Sequence, residues 1–130
     1  MPHFDMQHDV DPREDLLARL GDISNFKIFY NQVLVAVYLR PEKTKGGIVL
    51  PDQHLSEDKH QSKVGLVVAM GDRAFVNDEK WNFDGINVKL HDWIVFRPSD
   101  GWQVTVNKVL CRVLDDSIIK GTVDHPDRVW

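Results

Sequence analysis

Side chains able to do covalent or metal chemistry are few in this chain. His54 and His60 stand six positions apart in a polar stretch, His91 is followed by Asp92, and Cys111 is the single cysteine. A metal centre or a nucleophile and base needs partners that converge from rigid elements. These pairs read instead as exposed polar loop residues, which argues against an enzyme and against a resident metal. Cys111 sits in the apolar run Val109-Leu110-Cys111-Arg112-Val113, where a small buried hydrophobe is the expected role. With one cysteine, no disulfide can form within the chain. His3, His8 and His125 fall in terminal arms and read as solvated, and Trp81, Trp93, Trp102 and Trp130 read as core and subunit packing rather than a stacking face.

The most informative side chains are apolar. Between Arg40 and Ser62 the sequence is rich in Lys, Glu, Asp, Gln and Gly and keeps no sustained period, yet it contains one compact cluster, Ile48-Val49-Leu50. Gly46 and Gly47 give the backbone freedom before the cluster, while Pro51 lacks a donor and pushes Leu50 towards extended geometry. Three adjacent large apolar side chains cannot all face one side of a strand. In a free loop some would be wet, at a cost of about 25 cal/mol per square ångström. For an arbitrary sequence the simpler reading is a short strand packed on its own domain. The alternative is a hook that seeks a groove on a partner, and composition alone leaves both open.

The surrounding elements are mostly β. From Phe26 to Leu39 Val33, Val35 and Val37 alternate with Leu34, Ala36 and Tyr38, an apolar pattern on both faces that predicts a strand covered on both sides. Further strands are expected at Val64 to Met70, Ile86 to Leu90, Trp93 to Phe96, Trp102 to Val106, Val109 to Leu114 and Ile118 to Val123, separated by Gly, Asn, Asp and Pro turn signals. One helix is marked near the start. Asp11 can cap it, Pro12 fits its first turn, Glu14 occupies the capping-box position, and Gly21 ends it after the apolar stripe Leu16, Leu17 and Leu20. A helix this short is marginal alone and must dock. The fold class is therefore mainly β: an antiparallel barrel or sandwich with a long loop, a short N-terminal helix and terminal arms.

Composition limits the partners. The formal net charge is -4, and residues 1 to 25 carry six acidic residues against two basic ones, so the remainder balances at 14 against 14. A neutral body with an acidic arm gives no field for a phosphate backbone, so nucleic acid is not expected as a partner. No apolar run approaches a membrane span and the start does not read as a signal peptide, so a cytoplasmic location is expected.

The nine residues Lys43-Thr44-Lys45-Gly46-Gly47-Ile48-Val49-Leu50-Pro51 resemble the mobile loop of GroES-type co-chaperonins. Asn31-Gln32-Val33-Leu34-Val35 is similar to that family's first strand, and Val64-Gly65-Leu66-Val67-Val68-Ala69-Met70-Gly71 to its G-x-V-x-A-x-G strand. Val88 to Phe96 resembles its V-K-x-G-D-x-V-x-F segment, with His91 where the family usually has Gly. Val109 to Ile119 resembles its closing strand and acidic turn. The similarity runs in order from about Phe26 to Val123, which is more specific than any one motif.

The resemblance implies a GroES-like barrel over 26–123, with a mobile loop at about 40–62 and a roof hairpin at about 72–85, between an arm at 1–25 and a tail at 124–130. It implies a co-chaperonin that caps a GroEL-type chaperonin ring and assists protein folding, with Gly46, Gly47, Ile48, Val49 and Leu50 as the chaperonin-binding residues. It further implies a homoheptamer, in which the first strand of each subunit pairs with a neighbour's last. No cofactor is expected, ATP being bound by the partner chaperonin. The arms have no counterpart in the family's usual short chain, and they keep a second reading open: a phage-encoded virion component, such as a capsid decoration protein located in the virion, with capsid protein as its partner.

Overall fold

The helix α1, Pro12–Leu20, forms where its capping signals stand. The Asp11 carboxylate accepts a hydrogen bond from the Glu14 amide at 3.4 Å, and Gly21 ends the helix at φ 62° with its N–H bonded to the Leu17 carbonyl. Leu16 and Leu20 are buried against the sheet, supplying the docking that so short a helix requires. Asn107 secures the C-terminal end, its amide donating to the Leu20 carbonyl at 2.6 Å. The computed structural model describes residues 10–39, 62–77, 79–80 and 82–129.

Six strands follow: β1 Gln32–Val37, β2 Val64–Met70, β3 Trp93–Val95, β4 Trp102–Val106, β5 Val109–Asp115 and β6 Gly121–Val123. They form one antiparallel sheet in the order β4-β5-β1-β2-β3-β6. This is the mainly β architecture that the sequence implies. The two-faced apolar pattern of β1 is explained by its central place. Leu34 and Ala36 face one core with Leu66, Val68, Trp93 and Cys111, while Val33 and Val35 face another with Val67, Ile94, Phe96 and Leu114. The β1–β2 ladder slips between Leu34 and Val35, so that Ala69 and Val67 are their partners and Val68 is the extra residue of a bulge.

Several expected strands shorten. Residues 86–90 form no regular strand: Ile86 and Leu90 stay half-exposed, and only Val88 turns inward. The Asp92 carboxylate takes the Lys89 amide at 2.9 Å and His91 adopts φ 71°, which bends the chain before it can pair. The segment expected as Ile118 to Val123 starts instead with a 3-10 turn at Asp116–Ile118, and pairing resumes only at β6. Here too a side chain intervenes, since the buried Asp116 carboxylate accepts from Asn31 Nδ2 at 3.1 Å and from the Phe75 amide at 2.9 Å. The first strand region, expected from Phe26, pairs only from Gln32.

Candidate functional site

The five hook residues Gly46 to Leu50 lie outside the described residues, as do His54 and His60. What the structure does define is how the chain leaves β1 and how it returns to β2. The described residues on either side of segment 40–61 lie side by side, because β1 and β2 are paired up to Val37 and Gly65 and the Tyr38 amide bonds to the Val64 carbonyl at 3.1 Å.

Each end is also held by a buried polar side chain. On the outgoing side Tyr38 is only 3% exposed. Its ring meets Trp93 edge-on at 5.8 Å, and its hydroxyl donates to the carboxylate of Asp127. Asp127 belongs to a 3-10 turn at Pro126–Arg128, started by Pro126 and by His125 Nδ1, which accepts from the Asp127 amide. Pro126 and Asp127 are both buried, and Val129 packs on the same core as Tyr38.

On the returning side Ser62 is fully buried, and its hydroxyl oxygen accepts from Arg112 Nη2 at 3.3 Å. Arg112, on β5, is itself buried. Its Nη1 donates to the carbonyls of Pro98 and Asp100 at 2.6 and 2.7 Å, and its guanidinium lies 5.2 Å from the centre of the Phe96 ring. The next residue of the returning chain, Lys63, accepts the Phe96 amide through its carbonyl. Burial pulls the Arg112 pKa down from its usual value, and the nearby Asp100 carboxylate opposes that pull. The Asp100 carboxyl is held below the usual carboxylate range, chiefly by its hydrogen bonds from Arg97. One cation thus ties the returning chain to the 98–100 turn.

Among the described residues, no other candidate groups are brought together. Cys111 is buried in the sheet core, and burial raises its thiol to a pKa of about 11, against any nucleophilic role near neutrality. A cavity of about 420 Å³ lies between Phe75, Phe83, Ile86, Val88 and Ile119, but the buried carboxylate beside it, Asp116, is already engaged by Asn31 and Phe75.

Sequence reasoning missed Tyr38, Ser62, Arg112 and Asp127. One signal was present: a cation within the run Val109 to Val113, on a strand apolar on both faces, must be buried or must disrupt the strand. Asp127 carried no local signal, because its partner is 89 residues away.

A family model described as "Chaperonin 10 Kd subunit" matches residues 25–123. Among characterised proteins, the chain is 31% identical to Co-chaperonin GroES 1 of Rhizobium meliloti over 100 residues, covering 77% of this chain and 96% of that one. It is 32% identical to Co-chaperonin GroES of Methylobacterium radiotolerans over 98 residues, covering 75% and 96% respectively.

Proposed function

Because this chain belongs to the chaperonin 10 Kd subunit family and is a co-chaperonin, we propose that it caps a GroEL-type chaperonin ring by placing Ile48, Val49 and Leu50 in an apolar groove of each partner subunit. The observation that carries this reading is the family match, which spans residues 25–123, a range that includes the segment with the hook. Gly46 and Gly47 supply the turn freedom that lets the triplet be offered away from the sheet. The relatives are named co-chaperonins, which favours this reading over the virion component.

The chain acts as a homo-oligomer, a heptamer by analogy with the family, in the cytoplasm of the cell that makes it. Ordering a flexible segment costs free energy, so each contact is weak and releasable. Linked copies on one ring raise the avidity by about 100-fold or more without new contacts. ATP enters only through the partner, and no catalytic step falls to this chain.

The test is co-sedimentation with a GroEL-type chaperonin in the presence of ATP. Wild type is expected to travel with the chaperonin and Ile48→Ser to lose that association at an unchanged melting temperature. Equal association of wild type and Ile48→Ser would remove the hook from the mechanism.

A further inference from the structure

We propose that Asp127 and Arg112 are positioning residues for the partner-binding segment, fixing independently the point where the chain leaves β1 and the point where it re-enters β2. This rests on the reading that segment 40–61 carries the chaperonin contact. Both ends are held by buried polar groups rather than by the strand ladder alone. Tyr38 is anchored through its hydroxyl to Asp127, and Ser62 through its hydroxyl to Arg112. Neither anchor is demanded by the sheet, whose β1–β2 pairing already continues to Val37 and Gly65.

The outgoing anchor comes from a part of the chain beyond the family match, which stops at residue 123. Residues 126–128 turn back so that Asp127 is buried at 3% exposure beside Tyr38. A buried carboxylate is costly to desolvate unless it is hydrogen-bonded, so its burial here needs a local return, and the tyrosine hydroxyl supplies one. The returning anchor is equally specific. Arg112 spends its donors on the carbonyls of Pro98 and Asp100 and on Ser62, while Nε has no partner among the described residues. The guanidinium therefore bridges two carbonyls of the 98–100 turn and Ser62, two residues before β2.

The consequence is mechanical. Fixing residues 38 and 62 limits the conformations that can be lost when the segment between them binds, so loss of an anchor raises the entropy cost of binding. Repeated once per subunit, a small effect is multiplied in the avidity of the whole assembly.

The experiment uses the full chain and a GroEL-type chaperonin with ATP, well below the melting temperature of every variant. Tyr38→Phe removes only the hydroxyl, and Ser62→Ala only the acceptor. Arg112→Met replaces the buried cation with a side chain of similar reach, a change that buried ion sites often tolerate. Affinity for the chaperonin is read beside amide exchange at Tyr38 and Val64, with amides of the β1–β5 ladder as the internal reference. We expect Tyr38→Phe and Ser62→Ala each to weaken binding by about threefold or more and to speed exchange at the segment ends about tenfold, with the β1–β5 amides near those of wild type and the melting temperature lowered by a few degrees, because each variant removes a partner from a buried charged group. A merely structural role would lower the melting temperature and leave affinity and segment-end exchange unchanged.

Wild-type affinity in Tyr38→Phe, Ser62→Ala and Arg112→Met, with Ile48→Ser still unable to bind, would overturn the positioning role and leave the hook intact. Full binding by Ile48→Ser would overturn the hook itself and this proposal with it. Weakened binding without faster exchange at the segment ends would also count against it.

Discussion

At the residue scale the chain contains several backbone choices that side chains resist. His91 holds φ 71°, a left-handed geometry that costs a residue with a Cβ about 1 kcal/mol. His91 is exposed, so little packing would be lost on replacement. His91→Gly is expected to raise stability in urea by about 0.5 kcal/mol, the strain relief being partly offset by the freer unfolded chain. Lower stability in His91→Gly would show that the imidazole makes a compensating contact. Gly71 is the opposite case, since a Cβ there would run into the Tyr30 carbonyl oxygen, which is backbone and cannot yield cheaply. Cys111 gives the pH-dependent prediction at this scale. Its folded pKa is raised from 9.0 to about 11 by burial. The neutral thiol is thus favoured in the fold: the contribution of its burial is fully present below pH 9.0 and is lost as pH rises through about 11, because the unfolded chain ionises first. The stabilities of wild type and Cys111→Ala in denaturant titrations should therefore draw closer on going from pH 8 to pH 11. In the native protein at pH 8 the thiol should resist alkylation until the chain unfolds, and prompt labelling without unfolding would contradict its burial.

At the element scale α1 is the clearest test of what local sequence can specify. Leu20 is 2% exposed and packs on the core shared by β1, β2 and β5. Leu20→Ala should cost about 2–4 kcal/mol in chemical denaturation. Asn107→Ala, which removes the donor to the Leu20 carbonyl, should cost about 1 kcal/mol. If Leu20→Ala unfolds at the wild-type denaturant midpoint, the helix does not contribute to the core. The helix, its cap and the central strands were legible because their signals are local: Asp11, Pro12 and Gly21 punctuate one element, and the two-faced apolar run of 33–38 can only be a covered strand. Residues 86–90 were misread because the pattern of Ile86, Val88 and Leu90 is strand-like, while the decision was made by the Asp92 carboxylate and the His91 turn. The hook was legible as an anomaly of apolar residues within a polar stretch. The anchors at its ends were not, since Tyr38 with Asp127 and Ser62 with Arg112 are paired only by the tertiary fold.

At the scale of the whole molecule the sheet leaves work for neighbours. β1 is occupied on both sides by β5 and β2 over its length, so a neighbouring subunit cannot pair with the strand itself. The stretch before it is different: Phe29 and Tyr30 are 64% and 71% exposed, and Phe26 is half-exposed. The sheet ends in β6 on one side and β4 on the other, and β4 carries Trp102 at 72% exposure. Among the described residues no further strand pairs with these edges, and edges beside large apolar side chains are a hazard that natural proteins cover. Residues 26–31 of one subunit set against β6 of the next would be a head-to-tail contact, which gives a ring where its rotation closes. Sedimentation at micromolar concentration should show a closed oligomer without monomer, and Phe29→Asp should shift it towards monomer while each chain keeps its β signature in circular dichroism. A wild-type monomer at that concentration would leave the exposed aromatics unexplained. It would also deny the hook the linked copies on which a weak, releasable contact depends.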